Sequence, residues 1–153
     1  MDHTVPVAKT KPEENFPLLQ REDELVDELR ENVPKALKEW DEEAIHRSRV
    51  ATRRLKAALE LTRPVLSKEQ YKPFSRALRK LRRRLGPLRD LDVMIGHLKG
   101  MSRQKTFRRA IDWLLARLER ARIEARKEDA KESSAGRVLA RLGTWWGVRD
   151  GTS

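Results

Sequence analysis

Residues 45 to 56, Ile-His-Arg-Ser-Arg-Val-Ala-Thr-Arg-Arg-Leu-Lys, carry the densest chemistry in this chain. Wound as a helix at about 100° per residue, they separate into two faces. His46, Arg49, Arg53 and Lys56 fall within about 80° of one another. Ala44, Ala51, Leu55, Ala58 and Leu59 fall on the far side. The charged face is a row of cations about 15 Å long, from ten steps of helical rise. Such a row repels itself, and it is stable only if water and counterions screen it or a polyanion lies along it. The chemistry on offer is anion binding. No Cys, His or carboxylate cluster accompanies His46, so a metal site is not expected there. His3 and His97 stand apart from the row and read as incidental.

A second stretch repeats the design. Phe74, Leu78, Leu81 and Leu85 cluster on one side with Ala77 beside them, while Arg76, Arg79, Lys80 and Arg83 take the opposite side. Charge counting isolates the same region. Residues 44–89 hold 15 Lys and Arg against Glu60 and Glu69, or +13, whereas the remainder holds 20 basic and 22 acidic residues, or −2. The whole excess of the +11 chain therefore sits in one third of its length. The flanks read as ordinary mixed-charge helix surface.

The elements that must position these rows follow from the pattern. At 153 residues, 39% charged and 5% aromatic, the chain suits one domain of long amphipathic helices. Residues 1–17, with Pro6, Pro12 and Pro17, read as a flexible arm. Leu18 to Trp40 has helical spacing, and Pro34 is expected to kink or divide it. Asp41 caps the helix that carries the first row, which runs to about Thr62 or Leu66. Ser67 and Gln70 suggest a capping box for the next helix. Gly86-Pro87 should end that helix, with a short one following from about Arg89 to Leu98. A long helix is expected from about Arg103 to Lys131 and a last one from about Arg137 to Trp146, before a frayed tail over 148–153. No stretch alternates at period two, so the predicted fold is all-α, an antiparallel bundle of about five or six helices over residues 18–147. There is no cysteine, no apolar run approaching the roughly 20 residues of a membrane span and no hydrophobic signal core in residues 1–11, so a cytoplasmic protein without membrane contact is the default expectation.

The stretch from His46, His-x-x-Arg-Val-Ala-Thr-Arg-Arg-Leu-Lys, resembles the signature of the CHAD family, the conserved-histidine α-helical domains. Leu85 to Val93, Leu-Gly-Pro-Leu-Arg-Asp-Leu-Asp-Val, resembles that family's second signature, in the family's order and at a suitable separation. The resemblance covers roughly residues 20–147. It implies a helical domain that binds inorganic polyphosphate and gathers on polyphosphate granules, with basic side chains lining a groove or pore. By position the counterparts are His46, Arg49, Arg53 and Lys56 from the first signature and Lys80, Arg83 and Arg89 from the second region, with Arg54, Arg76 and Arg79 as further candidates. The family domain has two related halves, each with its own histidine-and-arginine helix, whereas this chain has one such helix. Either one bundle suffices with a shallower site, or two chains pair as a homodimer. Trp145 and Trp146 belong either to that interface or to the chain's own core.

The physical case runs beside the resemblance. Polyphosphate is a flexible string of charge that needs a track of cations rather than a pocket. Arginine suits it because its planar fork grips phosphate oxygens in pairs. Asp90 and Asp92 invite a catalytic reading as paired carboxylates, but aspartates in such places usually cap helices or hold neighbouring arginines, here Arg89 or Arg83, and a structural role is expected. Without a glycine-rich phosphate loop, nucleophile motif or metal cluster, the domain is expected to be no enzyme and to carry no cofactor. The alternative is a nucleic-acid-binding module, RNA or single-strand. Against it, only Tyr71 and Phe74 supply aromatic rings between residues 41 and 106, and base stacking wants more.

Overall fold

The computed structural model describes residues 17–150, so the expected arm over residues 1–17, apart from Pro17, which opens the first helix, and the last three residues lie outside the described residues. Helices α1 (Pro17–Lys38), α2 (Glu42–Thr62), α3 (Lys68–Met101), α4 (Arg108–Ala130), α5 (Ala135–Gly143) and α6 (Trp145–Asp150) account for nearly all of them, and no strand occurs among the described residues. The fold is an all-α bundle, as the periodicity requires.

Neighbouring helices run antiparallel. The start of α1 meets the end of α2, where the Thr62 hydroxyl donates to Glu22 Oε1 at 2.6 Å. The first half of α3 meets the second half of α4, where Arg84 is paired with Asp129. Leu25, Val26, Leu29 and Val33 of α1, Ile45, Ala51, Leu55 and Leu59 of α2, and Phe74, Leu78, Leu81 and Leu85 of α3 form one core with α5 and α6. Fully burying each of the larger side chains is worth about 1.5–3 kcal/mol, and that burial holds the charged faces outward.

The caps follow the sequence. Asp41 accepts from the Ala44 amide at 2.8 Å, and Ser67 Oγ accepts from the Gln70 amide at 3.4 Å. The Ser67 amide donates to the Val148 carbonyl at 3.0 Å, so this cap is also tied to α6 by a tertiary bond. Trp40 ends the α1 segment in the left-handed region at φ 49°. The turn is closed by the Asp41 amide donating to Lys35 O at 3.2 Å, and the Arg126 guanidinium covers the Trp40 ring at 5.5 Å.

Three expectations are corrected. Pro34 does not divide α1, which is continuous from Pro17 to Lys38. Gly86-Pro87 does not end α3, a single helix of 34 residues that absorbs the short helix expected at Arg89–Leu98. In both cases the proline costs one helix hydrogen bond, about 3 kcal/mol with its ring clash. Buried residues on each side (Val33 and Ala36, Leu85 and Leu88) outweigh that cost by keeping the flanking turns against the core. The third correction concerns the tail. Trp145 packs on Phe74 with ring centroids 5.3 Å apart, its indole donates to Asp23 at 2.8 Å, Val148 is buried, and Arg149 pairs with Asp23 at 2.9 Å. Residues 148–150 are thus a docked helical turn, and Trp145 belongs to the chain's own core, while Trp146 is exposed.

Candidate functional site

Helices α2 and α3 lie side by side in opposite directions, so the two basic rows meet across a shared furrow. At one end His46, Arg49 and Arg53 of α2 and Arg89 and Asp90 of α3 line a concavity of about 580 Å³, with Val50, Val93 and Met94 between them. At the other end Lys56 and Arg63 face Lys72, Arg76, Arg79 and Arg82 around a concavity of about 420 Å³, with Glu60 on its edge. Arg63 is held there by the Tyr71 ring, 5.0 Å beneath its guanidinium. Among the described residues nine lysines and arginines therefore line the furrow against Asp90 and Glu60, a balance of +7 that leaves His46 uncounted. From His46 to Arg63 the track is about 26 Å long, from seventeen steps of helical rise.

The two sequence signatures interlock physically. Arg49 donates to Asp90 Oδ1 at 2.8 Å and reaches the Gly86 carbonyl at 3.4 Å, so the first signature's arginine grips the second signature across the furrow. Asp90 therefore restrains Arg49, not Arg89 or Arg83 as expected from sequence. Its own side chain is 64% exposed and that of Arg49 is 39% exposed. An ion pair so open to water is worth about 0–1 kcal/mol, too little to lock Arg49 against a polyanion. Asp92, two residues on, faces the other way. It is 3% exposed and accepts from Arg122 of α4 at 3.3 Å. The aspartates divide their work, one at the furrow wall and one tying α3 to α4. Of the remaining furrow cations, Arg53, Lys56, Arg63, Lys72, Arg76, Arg79, Arg82 and Arg89 make no ion pair among the described residues.

The furrow gathers His46, Arg49, Arg53, Lys56, Arg76, Arg79 and Arg89 of the expected residues. It does not gather three others. Arg54 is exposed and lines neither concavity. Lys80 and Arg83 stand on the flank of α3 nearer α5 and line a separate cleft. The reason is rotational: α3 packs against α2, α4 and α5 at once, so a face that is merely outward in a single-helix projection is split between two neighbours. Arg63, Lys72 and Arg82 were missed. They belong to the +13 segment counted from sequence, but only the crossing of α2 over α3 selects them from its other cations. Among the described residues no group of three His, Cys, Asp or Glu is placed to hold a metal ion, and no helix is long and apolar enough to cross a membrane.

Comparison with curated proteins and with solved structures gives no match. A family model does match, that of the CHAD domain, over residues 22–151. It spans α1 through α6, including the terminal turn that sequence periodicity leaves outside the domain. With both signature segments meeting in the furrow and the match covering most of its length, the chain belongs to the CHAD domain family, known in polyphosphate-related proteins.

Proposed function

We propose that this chain binds inorganic polyphosphate along the α2–α3 furrow without turning it over, and that this binding places it on polyphosphate granules of the cytoplasm. The observation that carries the reading is the +7 furrow, whose cations are almost all free of carboxylate partners among the described residues. A linear polyanion without bases is served by such a track, because each phosphate contact releases counterions and no directed base readout is required. A nucleic acid would satisfy the charge equally but, among the described residues, finds Tyr71 alone as an aromatic lining residue, and that ring already carries Arg63.

The test is a titration of long-chain polyphosphate at fixed salt against Arg53→Ala combined with Arg89→Ala. Neither residue makes an ion pair among the described residues, so helicity should hold. Two lost contacts at about 0.15 M salt correspond to roughly a 15-fold weaker affinity, taking a slope of about 0.7 per contact. Unchanged affinity would remove the furrow from the site, stronger competition by single-stranded RNA would favour the nucleic-acid reading, and release of orthophosphate with added magnesium or manganese would end the non-enzymatic one.

Pairing of two chains forms a second part of the proposal. Helix α4 buries only Ile111 and Asp129, while Trp113, Leu114 and Ile123 on it and Phe107 just before it are exposed. Exposed apolar side chains of that kind are what a second copy would cover. Light scattering should give twice the chain mass, and Leu114→Glu should return it to one; a monomer at full affinity would exclude pairing.

A further inference from the structure

A second basic cleft lies on the other flank of α3. It has a volume of about 600 Å³ and runs between α3 and α5. Arg76, Lys80 and Arg83 enter it from α3, and Arg137 and Arg141, one helical turn apart, enter it from α5. None of these five makes an ion pair among the described residues. Arg84 also borders the cleft but is committed elsewhere, with its guanidinium paired to the Asp129 carboxylate and donating to the Ser133 carbonyl. Among the described residues Glu132 is the one carboxylate at the edge. The floor is apolar, with Leu81 and Leu142 buried and Val138 half-buried, so the cations are held around a rim instead of folding into the cleft.

Two features make this more than solvated surface. The cations converge from two helices whose mutual packing is fixed by the core, so they cannot separate to relieve repulsion. The cleft is also joined to the furrow, because Arg76 lines both, and Arg79, Lys80 and Arg83 follow it at helical spacings of three, four and seven over the outer surface of α3. A continuous cationic band therefore crosses α3 from one concavity to the other.

We propose that the α3–α5 cleft is a second polyanion site, and that a long polyphosphate chain occupies furrow and cleft together by crossing α3 at Arg76. The inference rests on the furrow reading and adds a chain-length preference to it. The furrow portion from Arg89 to Arg76 alone spans about 20 Å, thirteen residues of helical rise, and the crossing adds to that. Short chains fill the two clefts separately, whereas long ones are held by both at once and gain from linkage.

The experiment compares the full chain with Arg137→Ala/Arg141→Ala, using tripolyphosphate and a polyphosphate of about a hundred units, by calorimetry at about 0.15 M salt. The number of tripolyphosphates bound should fall by one in the variant, and affinity for the long chain should drop roughly 15-fold, with a salt slope shallower by about 1.4, from the loss of two phosphate contacts. Glu132→Gln should act in the opposite sense and tighten long-chain binding. Circular dichroism is the check on folding, which should hold because both arginines are exposed. Unchanged stoichiometry and long-chain affinity in the arginine variant overturn the second site while leaving the furrow intact. Loss in the arginine variant alone, with the Arg53/Arg89 variant unaffected, overturns the furrow reading instead. Absence of binding by the unaltered chain at any length overturns both.

Discussion

Replacing Asp90 by asparagine should tighten polyanion binding, although Asp90 lies inside a family signature. The Asp90 carboxylate is the nearest negative group to Arg49, at 2.8 Å, and it lines the same concavity as His46, Arg53 and Arg89. Removing its charge raises the furrow balance from +7 to +8 and frees Arg49 to contact phosphate. One added phosphate contact at about 0.15 M salt, with a slope of about 0.7 per contact, gives roughly a fourfold gain in affinity. The cost in stability should be small, because an ion pair this exposed is worth about 0–1 kcal/mol. That corresponds to no more than about 4 °C in melting temperature for a chain of this size. The assay is a set of long-chain polyphosphate titrations between about 0.05 and 0.3 M salt for parent and variant, with thermal melts alongside. The variant's log–log salt slope should steepen by about 0.7. A several-fold loss of affinity without loss of stability would refute the reasoning, since Asp90 would then be orienting Arg49 for the ligand rather than competing with it.

Two further outcomes concern the scaffold. The Glu22 carboxyl is buried, and burial pushes its pKa above the ordinary 4.5; Asp23 adds to the rise, while the Thr62 hydroxyl and Arg149 oppose it. The native state therefore keeps this proton to higher pH than the unfolded chain does, so the associated stability is fullest below about pH 4.5 and is lost as pH rises through the folded value. Glu22→Gln preserves the shape and the acceptor for Thr62, and it should be more stable than the parent in melts at about pH 6 and 8 but not at about pH 4; a constant difference across that range would contradict the account. Arg84→Ala leaves the Asp129 carboxylate, 4% exposed, without its guanidinium, itself 12% exposed. This should cost about 3–5 kcal/mol. Arg84→Lys should recover little of it, because a lysine cannot make the two-pronged contact, whereas the double change Arg84→Met/Asp129→Leu should recover most of it. Urea melts decide, and a loss under about 1 kcal/mol for the alanine variant would show that the pair does not fasten α4 and α5 to α3.

Much of this protein is legible in one dimension because helix periodicity is a local property. The leucine and cation faces of α2 and α3, the caps at Asp41 and Ser67 and the two signature segments all depend on residues within a turn or two of one another. The cation row of α2 was legible for the same reason, and it lines the furrow as the spacing requires. Charge counting also found the segment that supplies Arg63, Lys72 and Arg82, without selecting them.

What the tertiary structure alone decided involves partners far apart in the chain. Arg49 meets Asp90 across 41 residues, and the Trp145 indole meets Asp23 across 122. Neither pairing leaves a local trace, so the sequence alone points the aspartate to nearer arginines and the terminal turn to fraying. The persistence of α1 through Pro34 and of α3 through Pro87 has the same origin, since a local penalty of about 3 kcal/mol is offset by burial on surfaces that only the assembled bundle provides. The allocation of cations between the furrow and the α3–α5 cleft depends on how far α3 is rotated about its axis when several neighbours pack against it at once. A sequence specifies which residues share a face; the contacts between helices set what that face looks toward.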